Sequence, residues 1–263
     1  MSQYYKPDRN PSWNYGGRAW RLSRSKISLF LECPRCFYVD NKLGTSRPPG
    51  FPFNLNSAVD ALLKKEFDIH RVAKTAHPLM ETYGVDAVPF EHASIDVWRE
   101  NFKGIEYVHP STGFKVSGAI DDVWQKPSGE LIIVDYKATS KDEKIEALDK
   151  EWHGGYKRQM ETYQWLFRQS GFSVSNTGYF VYANASRDAA AFDATLEFEV
   201  TLVPYEGNDS WVEGALQDIK KVLESDELPA AAPDCDYCMY RETVGKKLLA
   251  HKKQTSPSGT LGI

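Results

Sequence analysis

The chain has 263 residues, 41% hydrophobic and 26% charged, a balance that supports a packed core and excludes a wholly disordered or fibrous protein. The first ten residues are polar and no run of about 18 apolar residues occurs, so a signal peptide and a membrane-spanning helix are not expected and a cytoplasmic location is. The net charge of −4 is unevenly spread: residues 1–49 carry +6, residues 50–240 carry −14 and residues 241–263 carry +4, so basic ends flank an acidic middle. Such ends are either solvated surface or a patch for phosphates.

In chain order, residues 4–22 combine Pro7, Pro11, Gly16 and Gly17 with Tyr4, Tyr5, Trp13, Tyr15 and Trp20. This reads as an extended aromatic and basic arm over residues 1–24, able to pack on its own domain or to meet bases and phosphates through Arg18, Arg21 and Arg24. A helix is expected over 25–33 from the spacing of Ile27, Phe30 and Leu31, followed by a Pro/Gly loop. A second is expected over 54–70, with Leu55, Val59, Leu62, Leu63 and Phe67 as its apolar stripe. A short helix is expected near 95–102.

From Phe114 to Lys137 the pattern turns to short apolar runs broken by Lys126-Pro127-Ser128-Gly129, a hairpin signature. A helix to about Gln169, strands over 177–183 and 196–203, and a helix over 211–223 complete an α/β protein. Residues 25–240 are expected to form one domain. Residues 241–263 are expected to be a basic tail, disordered in its Ser/Gly/Thr-rich end.

The hairpin concentrates the chemistry. Residues two apart on a strand face one side, so Asp135 and Lys137 project together from the end of the run Leu131-Ile132-Ile133-Val134. The preceding strand is expected to carry Asp121 beside Asp135. Two neighbouring carboxylates repel unless a cation lies between them. Oxygen donors in an incomplete cage suit Mg²⁺ or Mn²⁺, which activates water and offsets charge on phosphate, with Lys137 placing the water or the phosphate. A strand-end ion pair is the plainer reading of Asp135 and Lys137. D-x-K also occurs at Asp40-Asn41-Lys42, Asp142-Glu143-Lys144 and Asp218-Ile219-Lys220, yet none of these follows an apolar strand paired with a second Asp-bearing strand. Gln159 and Tyr163, four apart, share one face of the following helix.

Taken together, Gly118-Ala119-Ile120-Asp121, Asp135-Tyr136-Lys137 and Gln159-Met160-Glu161-Thr162-Tyr163 resemble the G-x-x-D, D-x-K and Q-x-x-x-Y motifs of RecB-like PD-(D/E)XK nucleases. The segment Ser25-Lys26-Ile27-Ser28-Leu29-Phe30-Leu31-Glu32-Cys33-Pro34 is similar to the opening of AddB and CRISPR-associated nuclease domains. The resemblance implies a restriction-endonuclease-like core, a central mixed β-sheet flanked by helices. It implies a metal-dependent deoxyribonuclease, exonuclease or endonuclease, acting on DNA that is single-stranded or has free ends, in repair, recombination or defence. Catalytic roles fall to Asp121, Asp135, Lys137, Gln159 and Tyr163, and metal ligation to Asp60, Asp121, Asp135 and Tyr136. Asp60 stands where many members carry a histidine ligand, and Glu66 is a weaker candidate. Two other readings are a nucleic-acid-binding module without catalysis, and a subunit that works only with a helicase or CRISPR adaptation partner.

The four cysteines form two CxxC pairs, Cys33/Cys36 and Cys235/Cys238, spaced for a metal or redox site. The spacing suits tetrahedral Zn²⁺ as well as iron–sulfur. By resemblance to the family's iron–sulfur subgroup they imply a [4Fe-4S] cluster joining the N- and C-terminal segments. The subgroup's last cysteine is replaced by Val244, which leaves Cys36 as the fourth ligand.

Overall fold

The computed structural model describes residues 9–50, 53–150 and 153–255. Its core is a five-stranded mixed sheet of order β2-β5-β6-β7-β8: Val88–Pro89, Asp122–Gln125, Leu131–Thr139, Thr177–Ala185 and Phe198–Glu206. β6 pairs antiparallel with β5 and parallel with β7, and β7 pairs antiparallel with β8. The parallel pair needs a crossover, and α6 (Gly154–Gln169) lies in that connection. A smaller sheet joins β1 (Leu22–Ser23), β4 (Lys115–Gly118) and β3 (Ile105–Val108). An α/β architecture of mixed sheets with helices is therefore the observed fold.

β6 reads as a continuous apolar run because both its faces are covered, and residues 131–136 are all buried; this is how a strand inside a sheet differs from an edge strand. The helix α3 (Asn54–Ala73) packs on it. Leu63 and Phe67 of that helix join Trp124, Ile132, Val134 and Tyr136 in one core cluster, with Val59 packed against it. The expected stripe was too wide: Leu55 and Leu62 are 61% and 62% exposed, since only the face through Val59, Leu63 and Phe67 meets the sheet.

Asp121 is not in a strand. The chain leaves the small sheet at Gly118 and enters the large one at Asp122, so Asp121 sits in the connection, one residue before the partner of Val134. The helix expected over 25–33 is α1 (Arg24–Glu32), and a second helix not expected from the sequence, α2 (Pro34–Asn41), follows it. Cys33 sits between them in an extended conformation and Pro34 opens α2, the first-turn place where a missing N–H costs nothing.

The chain divides into two compact units. One comprises residues 21–28 and 50–217 and holds both sheets. The other is assembled, among the described residues, from 9–20, 29–49 and 218–255. In this second unit Tyr15 packs edge-on against Trp20, the Trp20 indole donates to Asn41, and Arg9 pairs with Asp40. The segment after Arg241 is helical through Thr255 as part of α8 (Asp236–Thr255). The rest of the expected tail, residues 256–263, and the first eight residues of the expected arm lie outside the described residues. No described helix is long and apolar enough to cross a membrane.

Candidate active site

Asp135 is fully buried. Its Oδ2 accepts from the Lys137 ammonium and its Oδ1 from Gln159 Nε2 at 2.6 Å. Period two on β6 brings the carboxylate and the ammonium to one face, and α6 lays Gln159 against them. Gln159 Nε2 also reaches the Tyr163 hydroxyl at 3.3 Å, one turn further along the helix. Burial raises the Asp135 pKa to about 6, because a carboxylate out of water is costly, while Lys137 pulls the other way. Burial also pushes Lys137 down, but Asp135 and Asp121 outweigh it and hold the ammonium charged. Lys137 Nζ stands 4.6 Å from the centre of the Tyr156 ring, a cation–π contact.

Asp121 Oδ2 accepts the Tyr136 backbone N–H at 2.9 Å, which anchors the connection to β6 next to Asp135. Its Oδ1 lies 3.4 Å from Lys64 Nζ, and the same ammonium is 2.8 Å from Asp60 Oδ2. Asp60 and Asp121 therefore share a cation. Partial burial, and then the charge of Asp121, raise the Asp60 pKa. These residues border a cleft of about 430 Å³ lined also by Val59, Tyr136 and Tyr156.

Asp60 and Asp121 hold one positive head group between them, the kind of place a hard cation takes among oxygen donors, whereas Asp135 turns both oxygens to Lys137 and Gln159. Among the described residues only the four cysteines bring three or more metal-ligating side chains within reach of one ion. Tyr136 can offer such an ion only its main chain. Its hydroxyl is buried and donates to Asp122 Oδ2 at 2.6 Å, on the other side of the strand. Glu66 faces elsewhere and bonds His77 Nε2 at 2.9 Å.

Two positive residues beside the site were not assigned there from the sequence. Lys64 could have been found, because it stands one turn after Asp60 on the same helix face. Arg24, read as part of an arm, stands over the Tyr163 ring with its guanidinium carbon 5.9 Å from the centre. It adds positive charge near Tyr163, Asp135 and Asp121. Nothing local in the sequence pairs residues so far apart.

Beneath the site lies a buried ion network. Asp122, with no exposed surface, accepts from Arg71 at 2.5 Å, Arg99 at 2.8 Å and the Tyr136 hydroxyl. Both arginines also hold Asp68. Against the upward push of burial, their hydrogen bonds keep the Asp68 pKa below its ordinary value.

The four cysteines meet within the second unit, all buried and with their sulfurs within 4.8 Å of one another. None is in a disulfide. The Ala232 N–H donates to Cys33 Sγ at 3.4 Å, and Arg47 Nη2 lies 3.5 Å from Cys235 Sγ. Burial raises the Cys33 thiol, yet backbone N–H bonds bring it down to about 7. The arrangement can bind a metal centre.

Fold and motif order define a class of protein: an α/β nuclease core whose central strand ends in D-x-K and is followed by a Q-x-x-x-Y helix. A family model described as the PD-(D/E)XK nuclease superfamily matches residues 56–243, and the chain belongs to that superfamily. Its members are generally nucleases and use divalent metals. A solved structure described as "Crystal structure of SSO0001" is 16% identical, with 84% of each chain covered and a TM-score of 0.34. No curated protein matches the chain.

Proposed function

We propose that this protein is a Mg²⁺- or Mn²⁺-dependent deoxyribonuclease that hydrolyses phosphodiester bonds in DNA, preferring single strands or free ends. The observation that carries the reading is the arrangement of Asp135. A fully buried carboxylate is clamped between Lys137 and Gln159, and Lys137 lines a cleft together with Asp121 and Asp60. Structural ion pairs at strand ends seldom recruit a second carboxylate, a helix amide and a cavity together.

Asp121, Asp135 and Asp60 are the ligands in this reading, with the main chain of Tyr136 able to contribute. When bound, the metal supplies an activated water and neutralises phosphate charge. Lys137 orients the water toward phosphorus and offsets the charge that builds on the phosphate oxygens. Gln159 fixes the Asp135 carboxylate so that its oxygens do not rotate away, and Tyr163 in turn fixes Gln159. Arg24 adds positive charge on the same side and favours the approach of a polyanion. We assign the protein to the RecB-like branch, in a cytoplasmic role in repair, recombination or defence, with a metal centre, [4Fe-4S] or zinc, at the four cysteines.

The test is cleavage of labelled single- and double-stranded DNA with Mg²⁺ or Mn²⁺, comparing wild type with Asp135→Ala and Lys137→Ala. Loss of cleavage in both variants, with the fold retained, supports the assignment; cleavage surviving both overturns it.

Lys64 favours a second reading. Its ammonium already satisfies Asp60 and Asp121, as in a nucleic-acid-binding module that no longer cuts. Metal-independent DNA binding with no cleavage under any divalent ion is its signature. A requirement for a helicase or CRISPR adaptation partner is excluded if the purified chain cuts alone.

A further inference from the structure

The cysteine cluster has a geometry that separates its two candidate occupants. Cys36 Sγ lies 3.6 Å from the sulfurs of both Cys235 and Cys238, and Cys33 Sγ lies 3.8 Å from Cys238 Sγ. Four thiolates at about 2.3 Å from one tetrahedral ion stand about 3.8 Å apart along each edge. A four-iron cubane puts an iron and a bridging sulfide layer between its ligands and spreads the four cysteine sulfurs to roughly 6 Å. All six separations here are within 4.8 Å. The sulfurs therefore fit a single ion and do not fit the cluster that the family resemblance implies.

We propose that Cys33, Cys36, Cys235 and Cys238 hold one structural Zn²⁺. Each CxxC pair forms one half of the site: Cys33 and Cys36 enter and open α2, while Cys235 immediately precedes α8 and Cys238 lies in its first turn. All four positions are filled by protein, the closed coordination of a structural rather than a catalytic zinc. The surroundings supply what an anionic tetrathiolate centre needs. The Ala232 N–H and the Arg47 guanidinium point at sulfur, and Arg47 is itself held by Glu32 at 3.0 Å and by the face of Tyr237 at 4.5 Å. Such outer contacts orient ligands and tune their charge.

The site also meets a need of its unit. That unit is built from three separate chain segments, and two of them meet at the four cysteines, with Leu29, Ala231 and Ala232 packed against them. A metal there adds a link between these two segments, so part of its binding free energy becomes folding free energy. The inference does not depend on the nuclease reading, because its readouts are metal content and stability.

The experiment is metal and acid-labile sulfide analysis of the full chain purified anaerobically from iron-replete cells. One zinc per chain, no sulfide and no charge-transfer absorption near roughly 400 nm is the expected result. Replacing zinc with Co²⁺ should give the intense visible bands of a tetrahedral thiolate site. About four irons with sulfide per chain, or thiols that carry no metal in the freshly isolated protein, overturns the proposal. Because removing a ligand in Cys235→Ser puts the fold itself at risk, Arg47→Ala provides the second arm. It leaves all four ligands in place and is expected to weaken zinc retention against a chromogenic chelator about 10-fold or more. Unchanged retention in that variant overturns the assigned role of Arg47.

Discussion

Gly118 and Tyr163 are in direct contact: a Cβ on Gly118 would lie 2.6 Å from Cε1 of the Tyr163 ring. The glycine of the G-x-x-D motif and the tyrosine of the Q-x-x-x-Y motif are thus two halves of one packing arrangement. The absent side chain makes room for the ring whose hydroxyl meets Gln159, and Gln159 holds Asp135.

Gly118→Ala is therefore expected to destabilise the protein by about 1–3 kcal/mol through overpacking, and to reduce cleavage by displacing Tyr163. In a double-mutant cycle with Tyr163→Ala the penalties should be strongly non-additive, because the smaller side chain removes the clash. Urea denaturation and initial rates of all four proteins check this; additive effects refute the coupling.

Lys64→Ala removes the cation shared by Asp60 and Asp121. Without the competing ammonium, the Mn²⁺ concentration giving half-maximal cleavage should fall several-fold, an effect of order 1 kcal/mol in metal binding. A rise in that concentration would instead mean that Lys64 supports the site.

The pH dependence follows from Asp135. In the metal-free protein its pKa is about 6, raised by burial, so its contribution to stability is complete below the ordinary carboxylate range and is lost as pH rises through about 6. Metal binding requires the ionised form and competes with the proton. Cleavage is expected to fall as pH drops through this region, and the acidic limb should move to lower pH as Mn²⁺ is increased. Rate profiles at two metal concentrations test this, and a limb that ignores metal concentration contradicts it.

Asp122→Ala leaves Arg71, Arg99 and the Tyr136 hydroxyl without their common acceptor. Removing one partner of a buried ion network typically costs about 3–5 kcal/mol. The urea midpoint should fall accordingly. A loss under 1 kcal/mol would show that Asp68 and water compensate fully.

Much of the candidate site was legible because its parts are local. The alternation of β6 puts Asp135 and Lys137 on one side whatever surrounds the strand. The other three D-x-K occurrences lack that setting: Asp40 lies in α2, Asp218 in a helix spanning Trp211–Glu224 and Asp142 outside any strand. Other features were misread where local pattern underdetermines packing. Leu55 and Leu62 satisfy helical periodicity but face solvent, and Asp121 was expected in a strand although the chain changes sheets there.

By itself, the sequence determined the order of elements, the strand that ends in Asp135 and Lys137, and the shared helix face of Gln159 and Tyr163. These depend on repeats of two and 3.6 residues that any chain segment obeys. Only the tertiary structure decided which cation meets which carboxylate, that Tyr163 needs Gly118 without a side chain, and that cysteines 205 positions apart lie 3.8 Å from each other. Such distances arise from how faces pack across the fold, and no local period encodes them.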